Sequence, residues 1–219
     1  MTMIKRELKE LVAKTAREFY ANNLTPGQDS GDVSLLDSDT NLVYICPRPN
    51  ETLPIPNWGV AKADDIVVMD LFGNLQEDNG ILATVEAPMH LAIYKARPNV
   101  KAIVHSHGEW SSAFAITGKK IPLALAEQSL FLGGEVLCAE YGRVGSKEIA
   151  DNIVKALGKD KNCALMRNHG AVAVGTSIQG AMLNAIFLEK GAKTCLFGYL
   201  LGGLIEVAPD DILDPSLLG

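Results

Sequence analysis

The sequence has no long hydrophobic run. Its longest apolar stretch, TCLFGYLLGGLIEVA near the C-terminus, is too short and too interrupted by glycine to span a bilayer, so no membrane association is expected. The first segment, MTMIKRELKELVAKTAREFY, carries charges at every turn and lacks the uninterrupted apolar core of a secretory signal. A cytoplasmic protein is therefore expected.

Positive charge is also scarce. The chain has 20 Lys and Arg against 26 Asp and Glu, a formal net charge of −6, and no basic stripe. Such a surface does not attract nucleic acid or anionic membranes, so neither is an expected partner. The 4 cysteines lie far apart with no Cys-x-x-Cys pair, which predicts reduced, mostly buried thiols as in a cytosolic protein.

No linker, internal repeat or low-complexity tract divides the chain. A length of 219 residues suits one large domain with a substantial core, so residues 1–219 are predicted to form a single domain. The Pro- and Asp-containing tail from about residue 205 to 219 is expected to be held loosely.

Hydrophobic periodicity predicts the secondary structure. The predicted helices are residues 3–22, APMHLAIYKARP after a Thr84 cap, SSAFAITG, SKEIADNIVKALG with Ser146 as its cap and Gly158 past its end, and about 177–200. The predicted strands are a hairpin around 37–41, a second hairpin turning at Gly73-Asn74, VKAIVHSH, LCAEYG, and NCALMRNHGAVAVG as one strand interrupted at its middle. This order predicts an α/β or α+β domain around a mixed or antiparallel sheet.

Histidine is rare, yet two of the 4 histidines stand one residue apart in AIVHSH. On a strand, positions i and i+2 face the same side, so His105 and His107 project together, about 7 Å apart along the backbone. His169 also breaks an apolar strand, and Gly170 after it allows close approach. Three imidazoles suit a zinc site with an open position. The pattern alone leaves open that these are satisfied polar residues at strand ends.

Glu86 and His90 are four residues apart and are expected to share a helix face. Glu86 is either a first-turn carboxylate favoured by the helix dipole or a carboxylate beside a metal, acting as ligand or general base. His90 is predicted to be a structural or supporting histidine rather than a ligand.

The segments TVEAPMHLAIYKARPNVKAIVHSHGEWSSAFA, YGRVGSKEIADNIVKAL and ALMRNHGAVAVG resemble the class II aldolase/adducin family in order and spacing, over nearly the whole chain. The resemblance implies that His105, His107 and His169 hold a divalent metal, usually zinc, with Mn²⁺ or Co²⁺ as alternatives. It implies that Glu86 shuttles the substrate proton. It also implies an α/β fold with a central, mostly antiparallel sheet flanked by helices on both faces, and a homotetramer with active sites at subunit boundaries.

The function implied by this resemblance is that of a metal-dependent aldolase, a carbon–carbon lyase. The expected substrate is a ketose, in particular a ketose 1-phosphate such as L-fuculose 1-phosphate, cleaved through an enediolate that the metal stabilises. The alternatives are an epimerase, dehydratase or decarboxylase of a sugar phosphate or sugar acid, and a non-catalytic adducin-like scaffold. A zinc hydrolase is disfavoured because His-Glu-x-x-His is absent.

The positions at which the family binds a substrate phosphate depart from its pattern. A Gly-Asn pair, a Thr-Gly pair and two serines are replaced by Gly31-Asp32, the CPRPNETLPIP segment and Thr84-Val85. An aspartate there would repel a phosphate, and Val85 cannot donate a hydrogen bond. Gly31, Asp32, Arg48 and Thr84 are retained as predicted substrate-binding residues. Arg48 is either a replacement cation or a surface arginine, and Thr84 either a donor or a helix cap.

The tyrosines that the family's aldolases use as proton donors have no counterpart here. The corresponding segment reads IPLALAEQSLFLGG, and no tyrosine follows Tyr199. Glu127 in that segment is predicted as an alternative acid or base, with a helix-surface glutamate as the other reading. Tyr141 fits a family position and is predicted to be structural.

Overall fold

The computed structural model describes residues 3–27, 29–54 and 56–207. The helices are α1 (Arg6–Ala21), α2 (Ala87–Ala96), α3 (Glu109–Ala115), α4 (Ala126–Leu132), α5 (Lys147–Leu157) and α6 (Ile178–Leu200). The strands are β1 (Asp32–Asp37), β2 (Leu42–Ile45), β3 (Val67–Asp70), β4 (Ala102–Ser106), β5 (Leu137–Ala139), β6 (Cys163–Met166) and β7 (Gly170–Gly175). Two short 3-10 helices cover Trp58–Val60 and Ala63–Asp65.

A 7-stranded sheet in the order β3-β2-β1-β4-β7-β6-β5 forms the centre of the fold. Every neighbouring pair is antiparallel except β5 and β6, which are parallel. β4 is the middle strand, and its His105 lies opposite Asp32 of β1 on one side and Val172 of β7 on the other. The predicted class, an α/β domain with a mostly antiparallel central sheet, is confirmed.

The helices cover both faces of the sheet. Because side chains alternate along a strand, successive β4 residues enter two separate cores. Val104 packs in the core that includes residues of α1, α3 and α6, whereas Ile103 packs in the core that includes residues of α2 and α5. Each fully buried branched side chain of this kind contributes about 1.5–3 kcal/mol to folding. β4 is thus fixed from both sides and by both neighbouring strands.

Several predicted elements are confirmed. Ser146 caps α5 by accepting the N–H of Ile149 at 3.3 Å, and Gly158 follows its end at φ +55°. The cysteines are unpaired and three of the 4 are buried.

Among the described residues, no helix combines the length and the apolar character that crossing a bilayer requires.

Other predicted elements are wrong. NCALMRNHGAVAVG is not one interrupted strand but the antiparallel pair β6 and β7, which turns at 167–169 with Asn168 at φ +57°. The second predicted hairpin has a turn after β3, but its return arm is reduced to an isolated bridge between Met69 and Leu75. Helix α4 and the two 3-10 helices were not predicted.

The predicted Thr84 cap of α2 is also wrong. Helix α2 begins at Ala87, and Glu86 occupies the cap position without a capping side-chain bond. Pro88 in the first turn has no N–H to satisfy, so fewer donors need a cap there. The Thr84 hydroxyl instead donates to Asp32.

The predicted loose tail lies mostly outside the described residues, which end at Val207. The Val207 N–H donates to the carbonyl of Leu123 at 2.8 Å. Extension of the domain to residue 219 stays a prediction.

Candidate metal centre and active site

The rings of three histidines meet at the end of β4. His105 lies within β4, His107 lies just past its end, and His169 lies in the turn before β7. Their ring centroids are 4.7 to 4.9 Å apart, and one candidate ligand atom from each lies within 4.8 Å of the others. The Nε2 atoms of His105 and His107 are 3.0 Å apart. The structure therefore brings the three predicted ligands together.

Strand pairing explains this convergence. β4 and β7 are antiparallel with Ser106 opposite Ala171, so the end of β4 meets the start of β7. The Nδ1–H of His105 donates to the carbonyl of Ala171 at 3.0 Å, which leaves Nε2 directed at the other rings. Gly170 permits the close approach, because an added Cβ would overlap the Ser106 carbonyl and lie 3.1 Å from the His107 ring.

The chemistry of these rings fits a divalent cation. Burial lowers the pKa of His105, His107 and His169 to about 4 each, so all three rings are neutral at pH 7. A neutral imidazole is the form that binds a metal. The buried Nδ1 of His169 has no hydrogen-bond partner among the described residues. Three such nitrogens form the donor set of a catalytic zinc site, and they also suit other divalent metals.

Glu86 lies beside this cluster and is 2% exposed. Its Oε1 accepts the N–H of Gly145 at 3.2 Å and lies 3.8 Å from Nδ1 of His169. Its buried Oε2 has no partner among the described residues. Burial, together with the negative charge of Asp32, raises the pKa of Glu86 from 4.5 to about 7. A carboxyl group in this state can both take and release a proton near neutral pH.

Asp32 does not present a free carboxylate. It is 2% exposed, its Oδ2 accepts the hydroxyl of Thr84 at 2.6 Å, and its Oδ1 lies 2.8 Å from Nε2 of His90. Burial acts to raise the pKa of Asp32, but the charge and hydrogen bond of His90 outweigh it and lower the pKa to about 2. The sequence analysis predicted Asp32 and Thr84 as substrate-binding residues without finding these interior partners.

His90 is outside the three-histidine cluster and is fully buried. Its Nδ1 lies 2.7 Å from the hydroxyl of Ser34, which lies 2.7 Å from the hydroxyl of Tyr94. A continuous set of polar contacts therefore runs from Tyr94 to Asp32. This arrangement agrees with a supporting role for His90.

A cavity of about 240 Å³ opens beside the histidines. Its lining includes all of the predicted substrate-binding positions, the glutamate and the three histidines: Gly31, Asp32, Arg48, Thr84, Glu86, His105, His107 and His169. Gly31 has φ +71°, and an added Cβ would lie 2.5 Å from the His105 carbonyl, so only glycine fits there. Arg48 is exposed and carries a positive charge at the cavity.

Two predicted residues lie elsewhere. Glu127 is half-buried on α4, which packs against α6, and it does not line this cavity. Tyr141 is 58% exposed and is also absent from the lining. The sequence analysis missed Gly145, whose N–H binds Glu86, and Val144, which lines the cavity. The glycine in YGRVGS indicated a loop but not a contact with a residue 59 positions away.

Comparisons with known proteins agree with this geometry. The profile of the class II aldolase and adducin N-terminal domain matches residues 10–196. The L-fuculose phosphate aldolase of Methanocaldococcus jannaschii is 30% identical over 193 residues, which cover 88% of this chain and 98% of the relative. The 5-deoxy-D-ribulose 1-phosphate aldolase of Bacillus thuringiensis serovar kurstaki is 29% identical over 191 residues, 87% of this chain and 84% of the relative.

Solved structures show the same similarity. An L-fuculose 1-phosphate aldolase superposes with a TM-score of 0.87 at 27% identity, covering 96% of this chain and 94% of that one. YgbL from Escherichia coli, described as an aldolase, epimerase or decarboxylase, superposes with a TM-score of 0.78 at 25% identity, covering 94% of this chain and 95% of that one.

Proposed function

The chain belongs to the class II aldolase and adducin family, and from that premise we propose that it is a divalent-metal-dependent aldolase. In this proposal it cleaves a ketose, in particular a ketose 1-phosphate such as L-fuculose 1-phosphate. The observation that carries the proposal is the convergence of three neutral histidines with a buried glutamate whose pKa is about 7. The names of its relatives, which are aldolases of sugar phosphates, support this substrate class.

The roles of the residues follow from their chemistry. His105, His107 and His169 would hold the cation. When bound, zinc or another divalent ion such as Mn²⁺ or Co²⁺ supplies Lewis-acid stabilisation for negative charge that develops on a substrate oxygen. Glu86 exchanges a proton with the substrate carbon through its Oε2, which no other described residue contacts by a hydrogen bond, while the Gly145 N–H keeps the carboxyl group oriented. Glu127 remains the proposed second acid or base, and it would have to reach a site from outside the cavity of its own chain.

The anionic end of the substrate would be held by the cavity side that carries Arg48 and Thr84. Arg48 is the positive charge of this lining, and charge-assisted contacts of a guanidinium with phosphate are strong. The Thr84 hydroxyl already donates its one hydrogen to Asp32 at 2.6 Å and accepts the N–H of Glu86 at 3.3 Å, so Thr84 would line the cavity while Arg48 supplies the contact to the anion. Gly31 leaves room for close approach to the backbone.

A second candidate function is epimerisation, dehydration or decarboxylation of a sugar phosphate or sugar acid at the same site. The likeness to YgbL favours it, as does the charged pair at Asp32, where the family pattern has a neutral asparagine. Product analysis by NMR separates these reactions from cleavage, because only cleavage yields two shorter carbon skeletons.

The test begins with purified protein stripped of metal and reloaded with zinc, manganese or cobalt. A coupled assay for dihydroxyacetone phosphate is then run on several ketose 1-phosphates, with the metal-free protein as the control. Release that depends on metal supports the aldolase. Metal binding without release from any substrate would favour the second candidate, and absence of both would favour a non-catalytic adducin-like scaffold.

We also propose a cytoplasmic homotetramer with active sites at subunit boundaries. Large apolar side chains are exposed on the described surface, including Phe72 at 83%, Ile116 at 64% and Leu201 at 89%. Burial of such groups in contacts between copies would favour assembly. Light scattering after size exclusion gives the mass directly, and a monomer at micromolar concentration would contradict this part of the proposal.

A further inference from the structure

A carboxylate on α6 binds the backbone of the helix that follows the histidine pair. Oε1 of Glu189 accepts the N–H of Trp110 at 2.6 Å, and Oε2 accepts the N–H of Ser111 at 3.0 Å. The first N–H groups of a helix have no partner within it, and Gly108 at the cap position supplies no side-chain bond. Glu189 therefore caps the start of α3, although it belongs to the distant helix α6.

The local sequence is adapted to this contact. A Cβ on Gly108 would overlap the carboxylate of Glu189, so the glycine leaves the space that Glu189 occupies. The Trp110 ring packs against Phe197 with centroids 5.8 Å apart, and Nζ of Lys193 lies 5.0 Å from its centroid. Side chains from three turns of α6 thus hold the start of α3.

Helix α3 touches both loops that carry histidines. Its first residue comes two positions after His107. At its other end, the carbonyl of Ala115 accepts the N–H of Asn168 at 3.3 Å, and Asn168 directly precedes His169. His105 is held differently, by the sheet and by its bond to Ala171. Helix α3 therefore contributes to the places of His107 and His169, together with the hydrogen bonds of the His107 N–H to Leu24 and of the His169 N–H to Met166.

We propose that Glu189 is a positioning residue for the three-histidine site: by binding the two N–H groups at the start of α3, it sets the places of His107 and His169. This inference rests on the proposed metal-dependent function. Loss of the carboxylate would leave two backbone donors without their acceptor and would let α3 shift. Loss of a group that bonds directly to a metal ligand typically changes affinity 10- to 100-fold. Glu189 acts one step further out, through α3, so we expect the lower end of this range, about 10-fold weaker zinc binding in Glu189→Ala.

The experiment compares Glu189→Ala and Glu189→Gln with Glu109→Gln as the matched control. Glu109 is exposed in the first turn of the same helix, so its replacement removes the same charge near His107 without removing a hydrogen bond to α3. Zinc affinity is measured by competition with a chromophoric chelator. The visible absorption of the cobalt-loaded protein reports the ligand geometry. Thermal unfolding of the metal-free variants reports stability separately.

We expect wild-type affinity and spectrum in Glu109→Gln, about 10-fold weaker binding with an altered cobalt spectrum in Glu189→Ala, and an intermediate loss in Glu189→Gln. The glutamine should restore part of the zinc affinity, because its amide oxygen still accepts one of the two N–H groups. If the Glu189 variants lose stability but keep wild-type affinity and spectrum, Glu189 is structural only and the inference is overturned. If the wild-type protein itself binds no zinc or cobalt, the proposed function fails and the inference fails with it.

Discussion

Asp32 and His90 form a buried pair, with 2.8 Å between the carboxylate Oδ1 and the ring Nε2 and neither residue more than 2% exposed. The pair places an imidazole beside the aspartate at a position where the family pattern has an asparagine. It also keeps a negative charge beside the cluster of histidines, where that charge is one cause of the raised pKa of Glu86.

Neutralising this charge should move the pH dependence of the reaction. In Asp32→Asn the pKa of Glu86 loses one of the causes that raise it, so the acid limb of kcat/KM is expected to shift to lower pH by up to about 1 unit. Loss of the pair with His90 should also lower the free energy of unfolding by about 1–3 kcal/mol. A pH profile and urea unfolding measure the two effects. Asp29→Asn is the control, because Asp29 lines the same cavity but is exposed and screened. An equal shift in both variants would contradict the role given to Asp32.

Replacement of Glu86 by glutamine should lower kcat but raise the free energy of unfolding of the metal-free protein at pH 8. Glu86→Gln removes the proton acceptor, so kcat should fall about 100- to 10,000-fold while zinc is retained. The folded-state pKa of about 7 lies above the ordinary 4.5, so ionisation of Glu86 costs the metal-free protein stability as pH rises through this window. At pH 8 the variant should therefore be more stable than wild type by up to about 3 kcal/mol, with little difference at pH 4.5.

Urea unfolding of the metal-free proteins at the two pH values measures this difference. Glu51→Gln serves as the control, since Glu51 is exposed and its replacement should leave stability unchanged at both pH values. A Glu86→Gln variant that is less stable than wild type at pH 8 would contradict the conclusion that burial disfavours the ionised form of Glu86.

The histidine cluster should make the metal-free protein sensitive to acid. The pKa of each ring is lowered from 6.5 to about 4, so the unfolded chain binds more protons than the folded one between these values. The contribution of the three histidines to the free energy of unfolding is therefore complete above pH 6.5. It is lost as the pH falls toward 4, at about 1.4 kcal/mol per pH unit for each histidine. In His105→Asn the slope of the unfolding free energy against pH should decrease by about 1.4 kcal/mol per pH unit, the contribution of one histidine. An unchanged slope would show that His105 is not buried in its neutral form.

The close packing around Gly170 leaves no room for even a methyl group. A Cβ there would overlap the Ser106 carbonyl, which β4 cannot move without breaking its pairing. Gly170→Ala is expected to lower the free energy of unfolding by about 1–3 kcal/mol and to weaken zinc binding. Gly27→Ala is the matched control, because its Cβ would meet nothing closer than 3.6 Å. Chemical denaturation together with a zinc titration would measure both effects.

Local patterns were sufficient for the parts of the site that depend on one segment. Strand periodicity predicted that His105 and His107 share a face, and the apolar strand around His169 made it a candidate third ligand. The resemblance then implied a metal site at the three histidines and a proton-shuttling role for Glu86. The meeting of these segments depends on the pairing of β4 with β7, which brings residues 66 positions apart within hydrogen-bonding distance. Single-segment periodicity carries no information on that pairing.

The errors have similar causes. The β6–β7 turn was missed because RNH has no glycine of the usual hairpin kind, and Asn168 supplies the positive φ instead. A helix cap was one of the two roles predicted for Thr84, because its local preference gave no sign of Asp32, 52 positions away. The role of Glu127 is not among these errors and stays a prediction, with α4 placing the residue away from the cavity of its own chain.

The central position of β4 has a consequence for handling the protein. His105 lies between β1 and β7, two strands from distant parts of the sequence that pair on either side of it. In the proposed function, metal binding would require the folded sheet, because an unfolded chain offers only separate histidines. Free zinc at 100 times its dissociation constant would add about 2.7 kcal/mol to the folded state, so the melting temperature of the protein would serve as a gauge of zinc supply.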